Sequence, residues 1–128
     1  MVDSRSILIV EDEPLIAMML EDFLDSLGHV VVDSVDSVAD AAARIEMGGF
    51  DVAILDLHLK GEPAWSVADR LRDGGFPFVV ATGGHIEPAP ERHACAPVLA
   101  KPYTIEAIQP ALEAALNGKG RTRNGSDR

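Results

Sequence analysis

Positive charge, aromatic rings and cysteine are all scarce in this chain. Lys and Arg together number 11 against 21 Asp and Glu, a formal net charge of −10 over 128 residues. Such a body lacks the cations that neutralise phosphates, which argues against nucleic-acid binding. Divalent cations and basic protein surfaces stay open as partners, beside the plainer reading that acidity keeps a small protein soluble. Cys95 is the single cysteine and cannot close an internal disulfide, which points to a reducing interior. The longest apolar run in the first half, Leu15-Ile16-Ala17-Met18-Met19-Leu20, falls far short of the roughly 20 residues that span a bilayer. Met1-Val2-Asp3-Ser4-Arg5 leads into neither a long apolar run nor a small-residue cleavage site. A cytoplasmic protein without membrane insertion is expected. With aromatics at 5%, the 47% of hydrophobic residues must build the core mostly from aliphatics, and the length suits one domain.

Short apolar runs alternate with helical periodicity along the chain. Ser6-Ile7-Leu8-Ile9-Val10 reads as a buried strand. Pro14 is placed as a first helical residue, and Ile16, Leu20, Phe23, Leu24 and Leu27 recur at helical spacing up to Gly28. Val30-Val31-Val32 is a second strand. Ser37 caps a helix faced by Val38, Ala41, Ala42 and Ile45 and stopped by Gly48-Gly49. Val52-Ala53-Ile54-Leu55 runs into Asp56, and after a polar loop Ala64, Val67, Ala68 and Leu71 face a third helix. Phe78-Val79-Val80-Ala81 and Val98-Leu99-Ala100 are the last strands, and Ile105, Ile108, Leu112 and Leu116 mark a final helix ending near Gly118. Between Gly83 and Pro97, Pro88, Pro90 and Pro97 leave room for a short, irregular or absent fourth helix. Residues 118–128 show no apolar periodicity and read as a disordered C-terminal tail after a domain at 1–117. The pattern predicts an α/β chain, an open doubly wound parallel sheet covered on both faces.

In such sheets ligands bind beyond the carboxyl ends of the strands. There stand Glu11-Asp12-Glu13 after the first strand, Asp56 after the third, Thr82 after the fourth and Lys101-Pro102 after the fifth. Carboxylates held together repel and recruit a cation, and an oxygen-rich set with few protein ligands suits Mg2+. A cation there lets an anionic phosphoryl group approach Asp56, whose oxygen acts as nucleophile. Lys101 can supply a point charge and Thr82 a hydroxyl donor. Taken singly, each has a plainer reading: acids favour a helix N-terminus anyway, and Thr82 before Gly83-Gly84 is ordinary turn chemistry.

Together these residues resemble the response-regulator receiver domain over about residues 5–117. The resemblance implies a flavodoxin-like five-stranded sheet in the order 2-1-3-4-5. It implies Asp56 as phospho-acceptor and Mg2+ (or Mn2+) on Glu11, Asp12, Asp56 and the main-chain carbonyl of His58. Thr82 and Lys101 would touch the phosphoryl group, and the bond before Pro102 would be cis. Pro77-Phe78-Val79-Val80-Ala81-Thr82-Gly83 is similar to the stand-alone receivers marked Pro-Phe-x-Phe-Ala-Thr-Gly-Tyr, but Val80 and Gly84 replace its aromatics. The usual aromatic switch position holds Val98, and Tyr103 is either a partial substitute or an anchor for the last helix. The implied function is a single-domain regulator in a two-component system or phosphorelay. It would be phosphorylated by a histidine kinase or histidine phosphotransfer protein, signal through an unknown downstream protein, and exist as a monomer or weak dimer. Alternatives are a phosphorylation-independent scaffold and a small Asp-nucleophile phosphatase, which would carry an acid where His58 stands. A flavin binder is disfavoured, because Glu11-Asp12-Glu13 would repel its phosphate. His58, His85 and His93 match no metal-ligand spacing, and packing or solvated roles are expected for them, for Trp65 and for Cys95.

Overall fold

The computed structural model describes residues 4–83 and 90–127, with side chains as far as residue 117. In chain order it contains β1 (Ser6–Val10), α1 (Pro14–Ser26), β2 (Val30–Val35), α2 (Val38–Met47) and β3 (Val52–Asp56). A two-stranded hairpin, β4 (His58–Leu59) with β5 (Glu62–Pro63), precedes α3 (Trp65–Asp73), β6 (Phe78–Thr82), a 3-10 turn (Glu91–His93), β7 (Val98–Ala100) and α4 (Ile105–Asp127). The main sheet is parallel in the order β2-β1-β3-β6-β7. This is the expected flavodoxin-like order, with the numbering shifted only by a hairpin where the sequence pattern shows a polar loop.

Alternation within each strand divides the core between two faces. Ile7, Ile9, Val52, Ile54, Val79 and Ala81 pack under α1 and α4, against Leu20, Leu24, Ile108 and Leu112. Leu8, Val10, Ala53, Leu55, Phe78 and Val80 pack under α2 and α3, against Ala41, Ile45, Val67 and Leu71. β1, β3 and β6 are sealed on both faces, which is why they read as unbroken apolar runs. β2 lies at the edge, with Val30 and Val32 exposed and a register shift between Ile7 and Leu8 of its partner. Bulges of this kind blunt an edge against further strand pairing.

Local chemistry sets the helix starts. Pro14 opens α1, and the Ser37 hydroxyl accepts from the Asp40 amide at 3.1 Å to cap α2. Among the described residues the β6–β7 connection holds a single 3-10 turn, in keeping with the proline-limited fourth helix. One boundary differs. α4 continues to Asp127 past Gly118, where the sequence places its end and a disordered tail. Each glycine there costs only about 1 kcal/mol of helix propensity, and no proline follows Pro110, so a turn already nucleated can propagate.

Candidate functional site

The strand ends are level, and that brings distant residues together. Val10 pairs with Leu55, Asp56 with Ala81, and Thr82 with Ala100. The ladder runs one residue further: the Glu11 amide donates to the Val35 carbonyl and the Lys101 amide to the Thr82 carbonyl, both at 2.9 Å. Glu11, Asp56, Thr82 and Lys101 therefore share one edge of the sheet, as the sequence reading expects.

Glu11, Asp12 and Asp56 place carboxylate oxygens within 4.8 Å of one another. Glu11 and Asp56 are buried, while Asp12 is half-buried. Backbone amides hold all three: Glu13 donates to Glu11 Oε2 at 3.1 Å, Lys60 to Asp12 Oδ2 at 2.7 Å, and His58 to Asp56 Oδ1 at 3.2 Å. Lys101 Nζ bridges the cluster, 3.0 Å from Asp56 Oδ2 and 3.1 Å from Glu11 Oε1. One ammonium facing two buried carboxylates leaves negative charge in excess. Burial pushes the Glu11 carboxyl up to about 7, the Lys101 hydrogen bond opposes this, and the Asp56 charge adds to it. Burial disfavours the Lys101 charge, but its carboxylate partners outweigh that and raise it.

A hard divalent cation fits this donor set, which is all oxygen and short of positive charge. A second observation concerns the same edge of the sheet. Thr82 Oγ1 is buried and, among the described residues, is the one buried side-chain polar atom without a hydrogen-bond partner. Native folds rarely leave such a group unpaired, and this one lies at the same sheet edge as Asp56.

The other candidates sort clearly. His58 is exposed on β4, and its amide holds Asp56. The Lys101–Pro102 bond is cis, as the resemblance implies. Val98 is 54% exposed on the edge strand β7 and has no ring to rotate inward. Tyr103 is buried beside Ile108 and Leu112, with its hydroxyl 3.5 Å from Glu11 Oε1. Burial and the surrounding carboxylates push its phenol up, so it remains a donor. Cys95 is exposed and His85 lies outside the described residues. His93 is away from the site. Its ring stacks on Trp65 at 5.5 Å and meets Phe78 edge-on at 5.7 Å. Nδ1 accepts from Arg72 Nε at 3.2 Å, so Nε2 carries the proton and donates to Asp69 Oδ1 at 2.7 Å. Arg92 adds ion pairs to Asp69 and Asp73. This clasp fastens the 3-10 turn to α3, in the packing role expected for His93 and Trp65.

Sequence reasoning missed Lys60. Its amide orients Asp12 only because the β4–β5 hairpin turns at Lys60 (φ 51°) and Gly61 (φ 81°), both left-handed. The available signal was the Lys60-Gly61 pair between Leu59 and Glu62.

Comparison with known proteins agrees with this geometry. Residues 7–113 match the family described as the response regulator receiver domain. The two-component response regulator PhoP of Pseudomonas aeruginosa is 32% identical over 115 residues, covering 86% of this chain and 51% of that protein. The chain thus spans about half or less of the length of the curated relatives it matches. Among solved structures, SdrG from Sphingomonas melonis Fr1 is 51% identical with a TM-score of 0.79, covering 91% of this chain and 99% of that one. The BeF3-activated conformation of SdrG from Pseudomonas melonis Fr1 is 52% identical with a TM-score of 0.75, over 87% of this chain and 95% of that one. The sheet order, the acidic cluster with its bridging lysine, and these matches together make the chain a member of the response regulator receiver domain family of two-component signalling.

Proposed function

We propose that the chain is a single-domain response regulator that accepts a phosphoryl group on Asp56 from a phosphohistidine donor, a histidine kinase or a histidine phosphotransfer protein. The observation that carries this is the convergence of three carboxylates within 4.8 Å with Lys101 set against Asp56. An Asp56 carboxylate oxygen attacks the phosphorus, the phosphorus–nitrogen bond of the donor breaks, and the imidazole leaves with the electron pair. The product is an acyl phosphate. A Mg2+ (or Mn2+) held by Glu11, Asp12, Asp56 and the His58 main-chain carbonyl would neutralise charge that otherwise repels the incoming group. Lys101 meets the new charge as a cation, and the Thr82 hydroxyl, without a partner among the described residues, donates to a phosphoryl oxygen.

The likeness to SdrG along nearly its whole solved chain supports action as a lone domain. The protein acts as a phospho-acceptor rather than a turnover enzyme, in the cytoplasm, as a monomer or weak dimer, and its output is a contact with a downstream protein. With valine rather than an aromatic residue at position 98, the signal leaves through Thr82 and the Pro102-Tyr103 entry to α4 rather than through a rotating ring on β7. Incubation with acetyl phosphate and Mg2+, read by intact mass, should add one phosphoryl group to the wild type and none to Asp56→Asn. An unchanged mass, or a gain that survives the substitution, refutes the proposal.

A further inference from the structure

We infer that Tyr103 is a positioning residue for the metal ligand Glu11, its hydroxyl holding Oε1 once Lys101 turns to the phosphoryl group. The inference rests on the site proposed above and deepens it. Glu11 is 3% exposed and Tyr103 5%, so both are largely withdrawn from bulk water. Glu11 Oε2 is held by the Glu13 amide. Oε1 faces two donors, Lys101 Nζ at 3.1 Å and the Tyr103 hydroxyl at 3.5 Å.

Lys101 serves two acceptors in this state, Asp56 and Glu11. A phosphoryl group on Asp56 brings additional charged oxygens that compete for the same ammonium. As Lys101 moves to them, Glu11 Oε1 loses its nearer donor, and a carboxylate ligand short of a hydrogen-bond partner is held less firmly. The Tyr103 hydroxyl is the donor at hand. It must close from 3.5 Å into the roughly 2.5–3.0 Å range of an O–H···O bond. The ring packs with Ile108 and Leu112, so that closure also draws on the first turns of α4. Phenylalanine would fill the same apolar space, and the hydroxyl is what tyrosine adds there. Hydrogen-bond partners of metal-ligating carboxylates commonly set metal affinity.

The test is Mg2+ titration of the full chain by calorimetry, with and without beryllofluoride as the phosphoryl stand-in, for wild type and Tyr103→Phe. Mg2+ binding in beryllofluoride should weaken about tenfold in the variant, and less without it. The same substitution in a Glu11→Gln background should make no further difference. Affinities that agree within about twofold, or an equal loss in the Glu11→Gln background, overturn the assignment of Tyr103 alone. A marked fall in the metal-free melting temperature of Tyr103→Phe makes the hydroxyl structural and likewise overturns it. Failure of the wild type to bind Mg2+ overturns the proposed site, and the role of Tyr103 with it.

Discussion

Removing the Lys101 ammonium should destabilise the metal-free protein sharply, and Mg2+ should restore much of the loss. In Lys101→Met the stem volume is kept, but Glu11 and Asp56 lose their shared cation at 3.1 and 3.0 Å. These carboxylate side chains are 1% and 7% exposed, so the pair is effectively desolvated. Taking one partner from a buried ion pair costs about 3–5 kcal/mol. Independently, two like charges within the 4.8 Å of the cluster repel by roughly 3.5 kcal/mol at an effective dielectric near 20. Partial protonation of Glu11 relieves some of that, so a net loss of about 3 kcal/mol is expected, a drop on the order of 10 °C in melting temperature. Mg2+ at about a hundred times its Kd returns roughly 2.7 kcal/mol. Thermal melts of wild type, Lys101→Met, Asp56→Asn and the double variant, each with and without Mg2+, measure every term. The double variant should be more stable than Lys101→Met when metal-free, because the repulsion is gone, and should gain little from Mg2+. A Lys101→Met protein that melts within about 2 °C of wild type without metal would refute the electrostatic reasoning, as would a loss that Mg2+ leaves untouched.

Two further outcomes are expected. Glu11 titrates near 7 in the fold against an ordinary 4.5, so between those values the unfolded chain has released a proton that the folded chain keeps. Metal-free stability from this group should therefore be full below about pH 4.5, fall as pH rises towards 7, and level off above it. Calorimetric melts of wild type minus Glu11→Gln isolate the slope, and a flat difference curve would contradict it. His93→Ala should cost about 3 kcal/mol, from the lost ring contacts and the broken bonds to Asp69 and Arg72. Urea denaturation followed by the fluorescence of Trp65 reads this directly, and a loss under about 1 kcal/mol would mean that the clasp does not hold the turn.

The legible parts of the sequence were those governed by local pattern. Ile7 to Val10 and Val52 to Leu55 are unbroken apolar runs because strands covered on both faces tolerate nothing else, and each runs straight into acid. Ser37 and Pro14 declared their helix starts by their own chemistry. Exposure was harder to read. Leu15 and Met18 lie in the apolar run of α1 yet are 78% and 54% exposed, because the helix carries more apolar residues than one buried face can use. The polar loop after Asp56 concealed a hairpin, since His58-Leu59 and Glu62-Pro63 are too short to show alternation. α4 outruns Gly118 because glycine weakens a helix without forbidding it.

The layered α/β fold and the residue types at the strand ends follow from chain pattern alone, because periodicity and the right-handed crossover admit few other arrangements. Only the tertiary structure decided how charge is shared among those residues. That Lys101 bridges Glu11 and Asp56, that the Lys60 amide holds Asp12, and that Tyr103 reaches Glu11 are all contacts across distant segments. Their energies depend on distances and desolvation that exist only once the strands lie level in the sheet.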